Sequence, residues 1–230
     1  MAVSAVHGRV VFQGRVLSRA DEGMGCVSEV FRRVPVQARS EDKLERVVKA
    51  AQRIVVAEGA EAVTTTRLAL ESEVAVGTIY RYFENREGVL NVLVAQELEE
   101  LDRRLDVAGY SLGPSDWRER AQRGAEVMIH FADDSSLAYR TLMYTSTLTG
   151  EIAATNREHD VRMAHKLLAD LPRVTLDAME PHAFSVIHMY LGILDKGMEL
   201  GFCDPGPRNN AIIEQMHRAS LGYLESHFRH

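Results

Sequence analysis

The sequence predicts an all-α chain: a three-helix helix–turn–helix head at 40–86 and a larger helical bundle at 87–230. Two observations carry that prediction. Apolar residues recur at three- and four-residue spacing from about residue 40 to the C-terminus, while no alternation of period two persists anywhere. Residues that start and stop helices (Ser40, Gly59, Asn85, Pro172, Pro181) stand at the ends of those periodic stretches.

Composition narrows the class. At 230 residues the chain holds one large or two small domains. Its two cysteines, Cys26 and Cys203, are far apart and form no paired motif. That fits a reducing, cytoplasmic setting and argues against a disulfide framework or a zinc site. No apolar signal region opens the chain, and the apolar run near Ala183 to Leu194 is too short to span a bilayer, so no membrane partner is expected. The net charge of −6 is unusual for a nucleic-acid-binding protein. Between Glu41 and Leu90 seven basic residues face nine acidic ones. A locally basic face within an acidic protein remains compatible with that balance.

Residues 1–39 show no sustained period and carry six arginines against three acids. They read as a disordered basic extension, or as residues upstream of an alternative start at Met24; a basic arm reaching phosphates is the other reading. From Ser40, a candidate N-cap, Leu44, Val47, Val48, Ala51, Ile54 and Val55 form a buried stripe that ends at Gly59. Thr64 to Phe83 then reads as two short helices joined by a tight turn, the first capped by Thr65. Leu68, Ile79 and Phe83 point to the core, and the second helix offers Thr78, Tyr80, Arg81 and Tyr82 on its polar side. Helix–turn–helix geometry lays such a second helix in the DNA major groove, where hydroxyls suit phosphates and Arg suits phosphate or guanine.

The segment Val76-Gly77-Thr78-Ile79-Tyr80-Arg81-Tyr82-Phe83, followed by Glu84-Asn85-Arg86-Glu87, closely resembles the recognition segment of the TetR family of bacterial transcriptional regulators. The resemblance extends back through Ala50-Ala51, Gly59 and Val63-Thr64-Thr65 and covers about fifty residues. Glu73 stands where the family usually has Gly, and Ala75 where it usually has Ser or Thr, which puts the turn's fine geometry in question. The resemblance implies a homodimer on a palindromic operator. Arg81 and Arg86, with Thr65, Thr78, Tyr80 and Tyr82, would hold the DNA backbone. Val76, Gly77 and Tyr80 would approach base edges, with Thr66 and Arg67 within reach.

The body continues the helical pattern. Asn85 caps a long helix with Val89, Leu90, Leu93, Val94, Leu98, Leu101 and Leu105 inward. Further helices are expected from Asp116 to about Asp134, from Tyr139 to a break near Gly150, over 156–171 with Val161 inward, from Pro181 to about Phe202, and from Asn209 to about Phe228. The helix from Pro181 is apolar on more than one face, which predicts burial on both sides. Trp117, Met128, Phe131, Tyr139, Met143, Tyr144, Met163, His188 and Tyr190 suit an adaptable apolar pocket for a small-molecule effector, and equally a plain core. His130, Arg140 and Asp195 are further polar candidates. In the resembling family the last two long helices build a two-fold interface; here Phe184, Ile187, Leu191, Leu194, Ile212, Ile213, Met216, Ser220 and Tyr223 are its candidates, the alternative being a monomeric core.

Catalytic chemistry finds no foothold in the sequence. There is no phosphate-cradling glycine loop, nucleophile elbow or paired-cysteine motif. His159 and His165, like His182 and His188, are six apart, which does not stack ligands on one helical face. Neither a metal nor a cofactor is expected. The expectation is therefore a ligand-responsive transcriptional regulator, a repressor released by a small apolar effector. The alternative is a helical ligand-binding or assembly protein whose head does not bind DNA.

Overall fold

The computed structural model describes residues 10–12, 15–17, 38–108, 117–134, 140, 142, 150–170, 182–202 and 207–227. Its helices are α1 (Ala38–Glu58), α2 (Thr65–Ser72), α3 (Val76–Tyr82), α4 (Arg86–Val107), α5 (Trp117–Asp134), α6 (Gly150–Asp170), α7 (Ala183–Phe202) and α8 (Asn210–His227). A 3-10 turn, Ala60–Ala62, lies between α1 and α2. The fold is all-α, as the periodicity predicts. Near the N-terminus β1 (Val10–Phe12) and β2 (Arg15–Leu17) pair antiparallel, Val11 opposite Val16. Three-residue strands are too short for a period of two to register, so the sequence does not announce this ribbon. The remainder of the extension expected over residues 1–39, apart from the start of α1, lies outside the described residues.

The chain divides into two compact units, Met1–Glu97 with Ser146–Thr155 and Leu98–Thr145 with Asn156–His230. The division falls inside α4, whereas the sequence reading sets head against body at 86/87.

In the first unit, Leu44, Val47, Ala51, Ile54 and Val55 of α1 close over Val63, Leu68, Ile79 and Phe83, all at most 3% exposed. α1 ends where Gly59 takes φ 87°, ψ 168°, a conformation open essentially to glycine alone. Thr64, not Thr65, caps α2: its hydroxyl accepts from the Arg67 amide at 3.2 Å. α1 likewise starts at Ala38, so Ser40 lies inside its first turn and is not its cap. Asn85 does cap α4, its side-chain oxygen accepting from the Gly88 amide at 2.9 Å.

In the second unit, α7 and α8 pack tightly. A Cβ added at Gly197 would stand 2.2 Å from the Met216 side chain, and one at Gly201 would stand 2.6 Å from Ile213. Only residues without side chains allow that approach. α6 begins at Gly150, six residues before the expected start at 156, and Val161 is 37% exposed instead of inward. Nor is α7 covered on both sides within one chain, since Met189 is 56% and Leu200 47% exposed. No described helix is long and apolar enough to cross a membrane.

Candidate functional site

The head presents α3 on its surface. Val76 is 39% and Tyr80 48% exposed, Gly77 and Arg81 are exposed, and Thr78 is half-buried. Ile79 anchors the opposite side at 2% exposure. The Thr65 hydroxyl and the Tyr80 phenol lie 3.4 Å apart, which brings the start of α2 and the middle of α3 onto one surface. Thr66 is exposed beside them.

The turn between α2 and α3 runs through Glu73 at φ 55°, ψ 33°, and Glu73 is the one non-glycine with positive φ among the described residues. The left-handed position where the family usually has Gly is thus adopted here by Glu, at a cost of about 1–2 kcal/mol. Two contacts hold it there. The Glu73 amide donates to the Ala69 carbonyl, and the Arg46 guanidinium lies 3.7 Å from the Glu73 carboxylate. Ala75 caps α3 without any side-chain hydrogen bond, so the Ala-for-Ser departure leaves that helix start uncapped.

Charge on this surface is largely self-compensated. The Arg67 guanidinium donates to both carboxylate oxygens of Glu58, one at 2.6 Å, and to Glu71 at 3.0 Å. The Glu58 hydrogen bonds, with Glu71 after them, raise the Arg67 pKa further still. Arg86 is tied to Glu61 at 3.1 Å and to Glu87 at 3.2 Å. Arg81 has no carboxylate partner among the described residues; its guanidinium lies 5.8 Å from the centre of the Tyr82 ring. Lys43 on the first turns of α1 is also exposed and has no carboxylate beside it among the described residues.

The second unit holds an open pocket, with about 790 Å³ of empty space within and in front of its walls, open solvent included. Its walls come from Leu98, Leu101 and Leu105 of α4, Met128 and Phe131 of α5, Met163 and Leu167 of α6, and Leu191, Leu194 and Met198 of α7. The ionisable side chains that line it are His159, Asp160 and Asp195. His159 is 6% exposed, and its Nε2 lies 2.9 Å from the Asp102 carboxylate, with Asp160 3.8 Å from its Nδ1. Burial pushes its pKa down, but the hydrogen bonds to Asp102 and Asp160 outweigh this and lift it to about 9, so the ring is a cation at neutral pH. Asp195 lines the cavity and also reaches solvent. Crowding around its carboxyl, then repulsion from Asp160 and Glu199, pushes it up to about 6.

The model of the bacterial regulatory proteins, tetR family, matches residues 47–93, which contain α2, α3 and the start of α4. The head is of the TetR family. The fold of the chain is that of TetR-family transcriptional regulators. A TetR-family transcriptional regulator from Streptomyces coelicolor is 18% identical, with 81% of this chain and 99% of that chain aligned at a TM-score of 0.63. A multidrug binding protein, EbrR, solved with imidazole, is 14% identical over 83% of this chain and 97% of its own, at 0.62. The fatty acid degradation regulator FadR from Bacillus halodurans is 22% identical over 77% and 97%, at 0.53. No curated protein matches in sequence.

Against the TetR-family expectation, the structure brings Thr65, Thr66, Val76, Gly77, Thr78, Tyr80 and Arg81 onto one head. Tyr82, expected on the polar side of α3, is 5% exposed, since position 82 lies three residues after the buried Ile79 and shares its inward side. Arg67 and Arg86 keep their positions but are engaged by acids. In the body Met128, Phe131 and Met163 line the cavity, and so does Asp195. Tyr190 does not; it is 2% exposed and donates to the Ala121 carbonyl at 3.1 Å, a structural core role. Trp117 and His188 are also absent from the cavity wall, and the His188 ring packs 5.4 Å from that of Phe184. Tyr139, Met143 and Tyr144 lie outside the described residues.

Most of the interface candidates are buried within the single chain. Ile187, Leu194, Ile213, Met216 and Ser220 are at most 7% exposed within a single chain, and Leu191 lines the cavity. Ile212, Tyr223 and Phe184 are half-buried. The exposed residues of α7 and α8 include the small or apolar Met189, Gly192, Leu200, Ala219 and Gly222, among charged ones such as Lys196, Glu214 and Arg218. Sequence reasoning also missed Asp102, His159 and Asp160. The spacing of His159 and Asp160 inside an apolar stripe was the available signal.

Proposed function

We propose that this chain is a ligand-responsive transcriptional regulator that binds a palindromic operator as a homodimer. The observation that carries the reading is the exposed face of α3. Gly77 and Val76 lie outward, flanked by the Tyr80 phenol, the Thr65 hydroxyl and the Arg81 guanidinium. These are the groups that reach base edges and phosphates when a short helix enters a major groove. Two such helices must meet successive grooves about 34 Å apart, which gives dimerisation a mechanical purpose. The outward strip of small and apolar residues on α7 and α8 supplies a surface for it, and the cavity of the second unit is the effector site. A ligand that binds one arrangement of the dimer better than another shifts the population away from the DNA-competent form. Release of repression is the proposed direction, in a cytoplasmic protein.

A second reading, a ligand-binding or assembly protein whose head leaves DNA alone, draws on one observation: Arg67 and Arg86 are already paired with carboxylates. Selection of genomic fragments with the purified protein at two salt concentrations separates the two. An enriched dyad supports the regulator, and no enrichment for the full chain or for one starting near Arg39 supports the other. Tyr80→Ala combined with Arg81→Ala is expected to weaken operator binding at least a hundredfold with helicity and oligomeric state unchanged. Unaltered affinity in that variant removes α3 as the recognition element.

A further inference from the structure

Resting on the reading of the second unit as an effector site, we propose that its cavity takes an apolar ligand carrying one cationic nitrogen, an amphipathic amine, with its charge set between Asp160 and Asp195. The walls are aliphatic, aromatic and thioether, so they supply affinity for an alkyl or aryl body without selecting its shape. Selection by charge falls to the ionisable groups on the wall, which among the described residues are one imidazole and two carboxylates. The imidazolium of His159 is already matched by Asp102 at 2.9 Å. That one imidazolium serves Asp102 and, at 3.8 Å, Asp160 as well, so the carboxylates of Asp160 and Asp195 on the wall lack a full counter-charge among the described residues.

Three cations beside the wall positions are committed elsewhere. Lys196 donates to Glu199 at 2.7 Å. Arg104 is held by Glu100 at 3.1 Å and stacks 5.1 Å from the Phe131 ring centre. Lys166 is paired with Asp106. A carboxylate ligand would add a further negative charge to this end of the cavity. A neutral ligand would leave the mutual repulsion of Asp160 and Asp195 in place, a repulsion that adds to burial in raising the Asp195 pKa. An ammonium group relieves it, and a charge pair in a partly desolvated pocket outweighs the same pair in water.

Three ten-carbon probes with the same chain test this: decylamine, decanoate and decanol, titrated calorimetrically into the full-length protein at neutral pH and low salt. Decylamine is expected to bind at least tenfold more tightly than decanoate, with decanol between them. In the Asp160→Asn, Asp195→Asn double variant the amine should fall to within about threefold of decanol, while the affinity for decanol stays as in the parent protein and shows the cavity intact. Decanoate binding as tightly as decylamine overturns the cationic class and leaves the effector site standing. An amine preference that survives the double substitution overturns the assignment to these two carboxylates. Failure of all three probes to bind removes the cavity as a ligand site and the proposal with it.

Discussion

At Gly77 the fold makes no demand for glycine. A Cβ there would meet nothing within 4 Å, and the residue is exposed near the start of α3. Glycine in a helix is normally a loss relative to alanine, up to about 1 kcal/mol. On the DNA-binding reading, its presence is accounted for by a surface that must come close from outside. Gly77→Ala should therefore leave the melting temperature unchanged or higher, while lowering operator affinity at least tenfold in a binding titration. A drop in both would mean that the glycine serves the head itself. Glu73 presents the opposite situation. Its left-handed backbone is strained, yet the Ala69 carbonyl and Arg46 hold it, which shows how the turn between α2 and α3 survives without glycine.

Between elements, the pair of Asp102 on α4 and His159 on α6 is a buried clamp, and it sets a pH dependence. The His159 pKa is about 9 in the folded chain against an ordinary 6.5. Its contribution is fully present below about pH 6.5 and is lost as pH rises through about 9. The ceiling on that loss is roughly 3 kcal/mol. Thermal melts between pH 6.5 and 10 should show a decline in stability that is shallower in His159→Gln; parallel profiles would show that the ring is not a cation in the fold. The sequence made the elements legible through their apolar period, and most of the head core came with them, from Leu44 to Phe83. Helix starts were less so. Thr64 and Thr65 are chemically equivalent caps, and only the fold decides between them. The clamp itself was hidden because its partners are 57 residues apart in the chain. The Arg67 pair with Glu58 was hidden for a related reason: it joins α2 to the end of α1 across a turn. Tyr82 and Tyr80 read alike in sequence, whereas one is core and the other surface.

For the whole molecule, α7 and α8 carry small and apolar residues that stay exposed among the described residues of a single chain. Met189 and Leu200 are large and apolar, and Gly192 and Gly222 have open space where a side chain would stand. Gly222→Arg therefore costs the isolated chain little. On the dimer reading it should produce a monomer in sedimentation velocity, with operator affinity reduced by at least tenfold; a dimer of unchanged affinity would move the interface elsewhere. The internal pairing of Arg67 and Arg86 has a further consequence for how such a regulator lives among chromosomal DNA. Affinity for arbitrary sequence comes from cations that displace counterions from phosphates, and here Arg81, Lys43 and Arg53, the last donating to the Glu71 backbone carbonyl at 3.2 Å, are the head cations without carboxylate partners among the described residues. A dimer so sparingly charged spends little time on the millions of competing sites. Most copies would then be dissolved between encounters instead of stored along the chromosome, and operator occupancy would follow the number of copies in the cell almost in proportion.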